Sequence, residues 1–284
     1  MKSVFFASAT VALVAASASA DTVLQSCNFN SPGFTLGNLT SDVTGTTAGQ
    51  GGWYTLTAST ALGGAANWKI ANDPAAGGTH GQVLATTAGT TASGNNSTRF
   101  AWTDDIHNAS RPAGETLIVC TYDFYFTGST TSTNRYGAYM YDATGGKILS
   151  GVTVQNDTGQ FYIVGNYNNG GTVGNYSFST GTSGILARNS WVTLAVTFNM
   201  VTGRFQGGFS TNGGATFSLF YVDGAAAGTA VDELDLIGSV NSGTAAQGGT
   251  TGYYDNINVT SSPAPGALAL LGVAGLAGAR RRRA

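Results

Sequence analysis

The feature that most constrains this chain is a recurring one. Short runs of β-branched and aromatic residues alternate with clusters of Gly, Asn, Ser and Thr, and helix signals are almost absent. The strongest run covers 116–127. There Ile118, Cys120, Tyr122, Phe124 and Phe126 share one face, while Leu117, Val119, Thr121, Asp123 and Tyr125 share the other, because strand side chains alternate. The first face holds only apolar, aromatic and thiol groups and is expected to point into a core. Similar runs cover 51–57, 67–71, 81–86 and 98–102 before it. After it come 135–141, 147–154, 160–165, 174–179, 191–199, 204–210, 217–222, 233–240 and 253–259. Met200-Val201-Thr202-Gly203 and Asn212-Gly213-Gly214 supply hairpin turns. About a dozen strands with no helix to carry a crossover are expected to pair antiparallel.

The composition fits a packed body. Only 9% of the 284 residues are charged, 42% are hydrophobic and 42 are Gly, whereas a disordered chain would be richer in charge and poorer in aromatics. Both ends read as processing segments. Residues 1–20 have the form of a secretory signal peptide: Lys2, an apolar run over 4–16, and Ala18-Ser19-Ala20 before Asp21. Residues 263–284 carry Pro263 and Pro265, a run of small apolar residues over 266–279, and the block Arg280, Arg281, Arg282 and Arg283. As a helix that run reaches about 21 Å, short of a hydrocarbon core of roughly 30 Å, so it reads as a marginal membrane stop with its arginines on the cytoplasmic side. The body is then one domain, 21–262, a length that an all-β sandwich reaches as a single unit. Five of the 12 Lys and Arg lie in the flanks, which leaves seven against 14 acids. That balance argues against nucleic acid as a partner.

The order of proline motif, apolar run and arginine block resembles the PEP-CTERM class of bacterial sorting signals, with Ala264 in place of the motif's central glutamate. The resemblance implies export, contact with the membrane through the tail, and cleavage by a sorting protease or other envelope machinery. It places the protein at the cell envelope or outside the cell.

The body resembles the concanavalin A-like (laminin G-like) jelly-roll β-sandwiches in three places. These are Gly49-Gln50-Gly51-Gly52-Trp53 after Asn38-Leu39, a strand led by Trp191 that turns through Thr202-Gly203, and Tyr254-Asp255-Asn256-Ile257-Asn258-Val259. The resemblance implies an all-β, antiparallel sandwich whose last strand lies beside its first. It would put Asp255 near Asn28 and Asn30, hard oxygen donors suited to one structural Ca²⁺. The alternative is that Asp255-Asn256 simply caps an edge strand.

Cys27 and Cys120 form an even pair in a chain expected to be exported. A disulfide is the default expectation, with two buried thiols as the alternative. Glu233-Leu234-Asp235-Leu236-Ile237-Gly238 resembles the Glu-x-Asp-x-x-Glu strand of laminarinase-type hydrolases, but Gly238 replaces the second glutamate. A glycosidase needs two carboxyl groups, so no catalytic residue is assigned. The strand is expected to turn Leu234, Leu236 and Val240 inward and Glu233 and Asp235 outward. His80 and His107 sit in loop-like surroundings and are expected to be exposed.

For ligand binding, the stretch 166–176 offers Tyr167, Asn168, Asn169 and Tyr176 in an expected loop, with Tyr139 nearby in sequence. Rings suit sugar faces and amides suit hydroxyls. Three functions follow. The first is a non-enzymatic envelope or matrix protein for adhesion or structure, without a cofactor beyond the Ca²⁺. The others are a carbohydrate-binding module for extracellular polysaccharide and a divergent glycoside hydrolase.

Overall fold

The computed structural model describes residues 9–11, 21–30, 32–57, 68–87, 97–128, 131–240 and 250–263. The strands are β1 (Ala9–Val11), β2 (Thr22–Cys27), β3 (Gly37–Asn38), β4 (Tyr54–Thr57), β5 (Trp68–Asn72) and β6 (Gln82–Thr87). They continue as β7 (Ser97–Trp102), β8 (Glu115–Phe126), β9 (Arg135–Asp142), β10 (Lys147–Gln155), β11 (Phe161–Asn169) and β12 (Thr172–Ser179). The last five are β13 (Val192–Asn199), β14 (Arg204–Ser210), β15 (Phe217–Asp223), β16 (Glu233–Val240) and β17 (Thr251–Pro263). One short helix, α1 (Asp105–Asn108), follows β7.

The strands form two sheets that pair antiparallel throughout. The larger runs β1-β15-β14-β13-β8-β17-β6-β5-β3, with β2 also on β17; the smaller runs β12-β11-β10-β9-β16-β7-β4. Their facing sides enclose one apolar core, the arrangement of a jelly-roll sandwich. The face of β8 expected to be buried is buried: Ile118, Cys120, Tyr122, Phe124 and Phe126 all lie in that core. The hairpins at 200–203 and 211–216 form as their turn residues require.

Two contacts show how closely the sheets approach. A Cβ added to Gly165 on β11 would lie 2.9 Å from three atoms of the Phe205 ring on β14, and one added to Gly207 would lie 2.4 Å from Val152. Each glycine is a socket for a large side chain of the opposite sheet. A polar tie crosses the core as well: the Tyr254 hydroxyl of β17 donates to the Ile237 carbonyl at 2.6 Å and accepts from the Gly137 amide at 3.1 Å. It thereby fixes β16 and β9 against the larger sheet.

Two expectations are corrected. Cys27 and Cys120 are free thiols. Cys27 pairs with Ile257 and Cys120 with Val259, on opposite sides of β17. Two strand spacings and an offset of two residues along β17 put them roughly 11.5 Å apart, beyond the ~7 Å a disulfide spans. Burial opposes ionisation of both, pushing Cys27 up to about 12 and Cys120 further still. The second correction concerns 166–176, which is not a loop. β11 and β12 run through it as a hairpin, turning at Gly170 and Gly171, both at positive φ.

β17 is longer than its sequence run and includes Pro263, opposite Glu115. Asn256, at φ 50°, sits in a register break between Asp255 and Asn258. Pro265 and Arg280 to Arg283, like residues 12–20, lie outside the described residues. β1, within the segment read as a leader, pairs with β15.

Candidate functional site: an acidic recess on the smaller sheet

β16 lies inside the smaller sheet, between β9 and β7, and its alternation decides what each face presents. Leu234 and Leu236 enter the core, so Glu233 and Asp235 project from the outer face, as expected. Gly238 falls on the inner face, where an added Cβ would meet Thr86 at 3.1 Å and Tyr136 at 3.6 Å. A glutamate there would point into the core, not join the two outer carboxyls.

The expected outward carboxyls are not on open surface. Tyr141 stands opposite Glu233 and Tyr139 opposite Asp235 on β9. With Leu56, Phe100, Trp102 and Tyr141, the two carboxyls line a recess of about 170 Å³. The β4–β7 pairing sets Tyr54 against Trp102, their rings stacked 5.7 Å apart at 18°. Asp235 is only 5% exposed, and its Oδ1 has no hydrogen-bond partner among the described residues. A buried polar atom without a partner is costly, and this one belongs to a side chain that lines the recess.

The electrostatics are one-sided. Burial, and then the charge of Glu233, push the Asp235 carboxyl well above the usual carboxylate range. Burial also raises Glu233, helped by Asp104 and Asp232 and opposed by His107. Asp104 lies close enough to Tyr54 for its charge to raise that hydroxyl. None of the six lining residues is basic. Arg135, further along β9, stacks 3.9 Å over Tyr162 and donates to Gln155 and Ser177.

The sequence-derived ligand residues divide between two places. Tyr167, Asn168 and Asn169 line a wide cleft with Asp223, Gly224 and Ala225. Tyr176 stands beside it, edge-on to Tyr167 at 6.0 Å. Tyr139 belongs to the other region, across from Asp235. Of the calcium candidates, Asp255 is buried and accepts from the Phe29 amide at 3.3 Å, and Asn28 is exposed. Asn30 donates to the His80 carbonyl and accepts from the Gln82 amide. Among the described residues, no three His, Cys, Asp or Glu side chains form a group that could hold a metal ion.

His80 departs from expectation. Its side chain is 13% exposed, with Nε2 3.2 Å from Asp123 Oδ2 and Nδ1 3.5 Å from Asp73 Oδ2. The ring stacks on Trp191 at 3.9 Å, and Trp191 donates to Asp73. The cluster pins the β5–β6 turn to the outer face of the larger sheet. Its members come from distant parts of the chain, so no local pattern announces it. His107 is exposed, as expected.

Fold and site together define a jelly-roll sandwich with an acidic, ring-walled recess on the outer face of its smaller sheet. No family model matches the chain, and no curated protein sequence does. Among solved structures it is similar to an endo-β-1,4-glucuronan lyase from the fungus Trichoderma reesei, at 16% identity and TM-score 0.46, over 69% of this chain and 87% of that one. It is also similar to arcelin-5, a lectin-like defence protein from Phaseolus vulgaris, at 9% identity and TM-score 0.44, over 84% and 99%. A third is alginate lyase A1-II′, at 15% identity and TM-score 0.43, over 69% and 84%. The fold assignment rests on the strand pairing described above.

Proposed function

We propose that this is a non-catalytic protein of the cell envelope or extracellular matrix whose sandwich binds polysaccharide through the outer face of the smaller sheet. The observation that carries the reading is the unpartnered Oδ1 of Asp235 in a recess walled by Trp102, Phe100 and Tyr141. Flat rings accept the C–H faces of a pyranose, and carboxyl groups accept its hydroxyls. Seven strands about 4.8 Å apart give a face roughly 29 Å across, room for a chain of sugars. Export and sorting through the 263–284 tail complete the proposal and are drawn from the sequence.

A hydrolase is the second reading, favoured by one observation: Asp235 and Glu233 are both raised, Asp235 the further, as in an acid–base pair. Against it, the second glutamate of the hydrolase strand is replaced by Gly238, whose position faces the core. The test is a glycan array with the mature protein, run beside a reducing-end assay on the polysaccharides that bind. Binding without product is expected. Product formation abolished by Glu233→Gln or Asp235→Asn would replace the proposal with the hydrolase.

A further inference from the structure

We infer that the recess selects a cationic sugar, a hexosamine unit whose free amine is protonated and seats between Asp235, Glu233 and the ring of Trp102. The inference rests on the polysaccharide reading and adds to it the class of glycan.

Three observations converge. The unsatisfied Asp235 Oδ1 is a hydrogen-bond acceptor, and the lining carries no ammonium, guanidinium or imidazole to meet it. The acids around it crowd one another: Asp104 and Asp232 stand near Glu233, and His107 acts on it in the opposite sense. The remaining walls are Leu56, Phe100, Trp102 and Tyr141, an apolar and aromatic enclosure in which an ammonium gains from ring faces as well as from carboxylates. With a neutral sugar hydroxyl the acids would relieve their crowding by protonation, whereas an ammonium can hold them as carboxylates. A polyuronide would bring further carboxylates to the recess. The volume of about 170 Å³ suits one sugar unit. The stacked Tyr54 and Trp102 rings at its side offer a platform for a pyranose that a bare ammonium would not need.

The experiment is titration calorimetry with three oligosaccharides of equal length: glucosamine oligomers with free amines, their fully N-acetylated counterparts, and cello-oligosaccharides. Spermidine serves as a non-sugar amine. Wild type, Asp235→Asn and Glu233→Gln are compared, with Tm measured for each. The free-amine oligomer should bind at least about tenfold more tightly than the other two sugars, in line with a charge-assisted hydrogen bond. That preference for the free-amine oligomer over the N-acetylated one should collapse in Asp235→Asn. Should the Asn variant fail to fold, Glu233→Gln carries the same expectation. Equal binding of all three sugars overturns the amine inference and leaves the polysaccharide reading standing. Spermidine binding as tightly as the free-amine oligomer overturns the sugar part. Failure of every sugar to bind removes both.

Discussion

Gly165→Ala tests the packing that holds the two sheets together. Gly165 is at ordinary backbone angles, so alanine is acceptable to the chain itself, and the whole effect comes from the methyl group. Three atoms of the Phe205 ring lie at 2.9 Å from its ideal position, well inside van der Waals contact. Phe205 is fully buried in the core, and Phe178 lies 6.2 Å away on β12, so the ring cannot step aside without disturbing its neighbours. Overpacking of this kind costs about 1–3 kcal/mol. For a domain of this size that corresponds to a fall in Tm of about 2–4 °C per kcal/mol. The assay is urea unfolding of four proteins: wild type, Gly165→Ala, Phe205→Leu and the double variant. Phe205→Leu alone is expected to destabilise, yet in that background the alanine should cost much less, giving a coupling of at least about 0.5 kcal/mol. Equal penalties in the two backgrounds would refute the socket account.

Other outcomes follow from the site and the core. Because the folded Asp235 carboxyl lies above its unfolded value, its protonated form favours folding. That stability is fully present below the unfolded value and is lost as pH rises through the folded one. Asp235→Asn should therefore become progressively more stable than wild type between about pH 4 and neutrality, and a pH-independent difference in denaturation midpoint would count against the burial argument. Leu234→Ala should cost about 2–5 kcal/mol by denaturant melts, whereas Glu233→Gln should stay within about 0.5 kcal/mol of wild type or gain slightly. Both cysteines should react with a thiol reagent in the unfolded, unreduced protein and resist it in the native state; a protein with no titratable thiol would contradict the strand register. His80→Ala should loosen the β5–β6 turn, leaving Asp73 and Asp123 without their shared partner, with a loss of about 1–3 kcal/mol.

What could be read from the residues alone was local. Alternation along 116–127 named the inward side chains of β8, and alternation along 233–240 separated Leu234 and Leu236 from Glu233 and Asp235. Turn residues located the hairpins. What escaped depended on which strands become neighbours. The separation of Cys27 from Cys120 follows from β17 lying between β2 and β8, a long-range pairing that spacing along the chain does not encode. The recess is likewise assembled from β4, β7, β9 and β16, so Glu233 and Asp235 looked like ordinary solvent-facing residues of one strand. The 166–176 hairpin was masked by its own Asn and Gly content, which in isolation favours turns over strands. His80 gave no signal because Asp73, Asp123 and Trp191 reach it only once the larger sheet has formed.

The position of β17 bears on how the protein is made. It lies between β8 on one side and β2 and β6 on the other, yet it is the last of the described strands to be synthesised. A nascent chain lacking residues 251–263 therefore holds the larger sheet in three unjoined parts, β1 with β15 to β8, β6 to β3, and β2 alone, each with an open edge. It also lacks Tyr254, the bridge to the smaller sheet. The final fold can close only when nearly the whole body has left the ribosome. Late closure keeps the chain threadable during synthesis, at the expense of a prolonged need for chaperones on its unpaired strands.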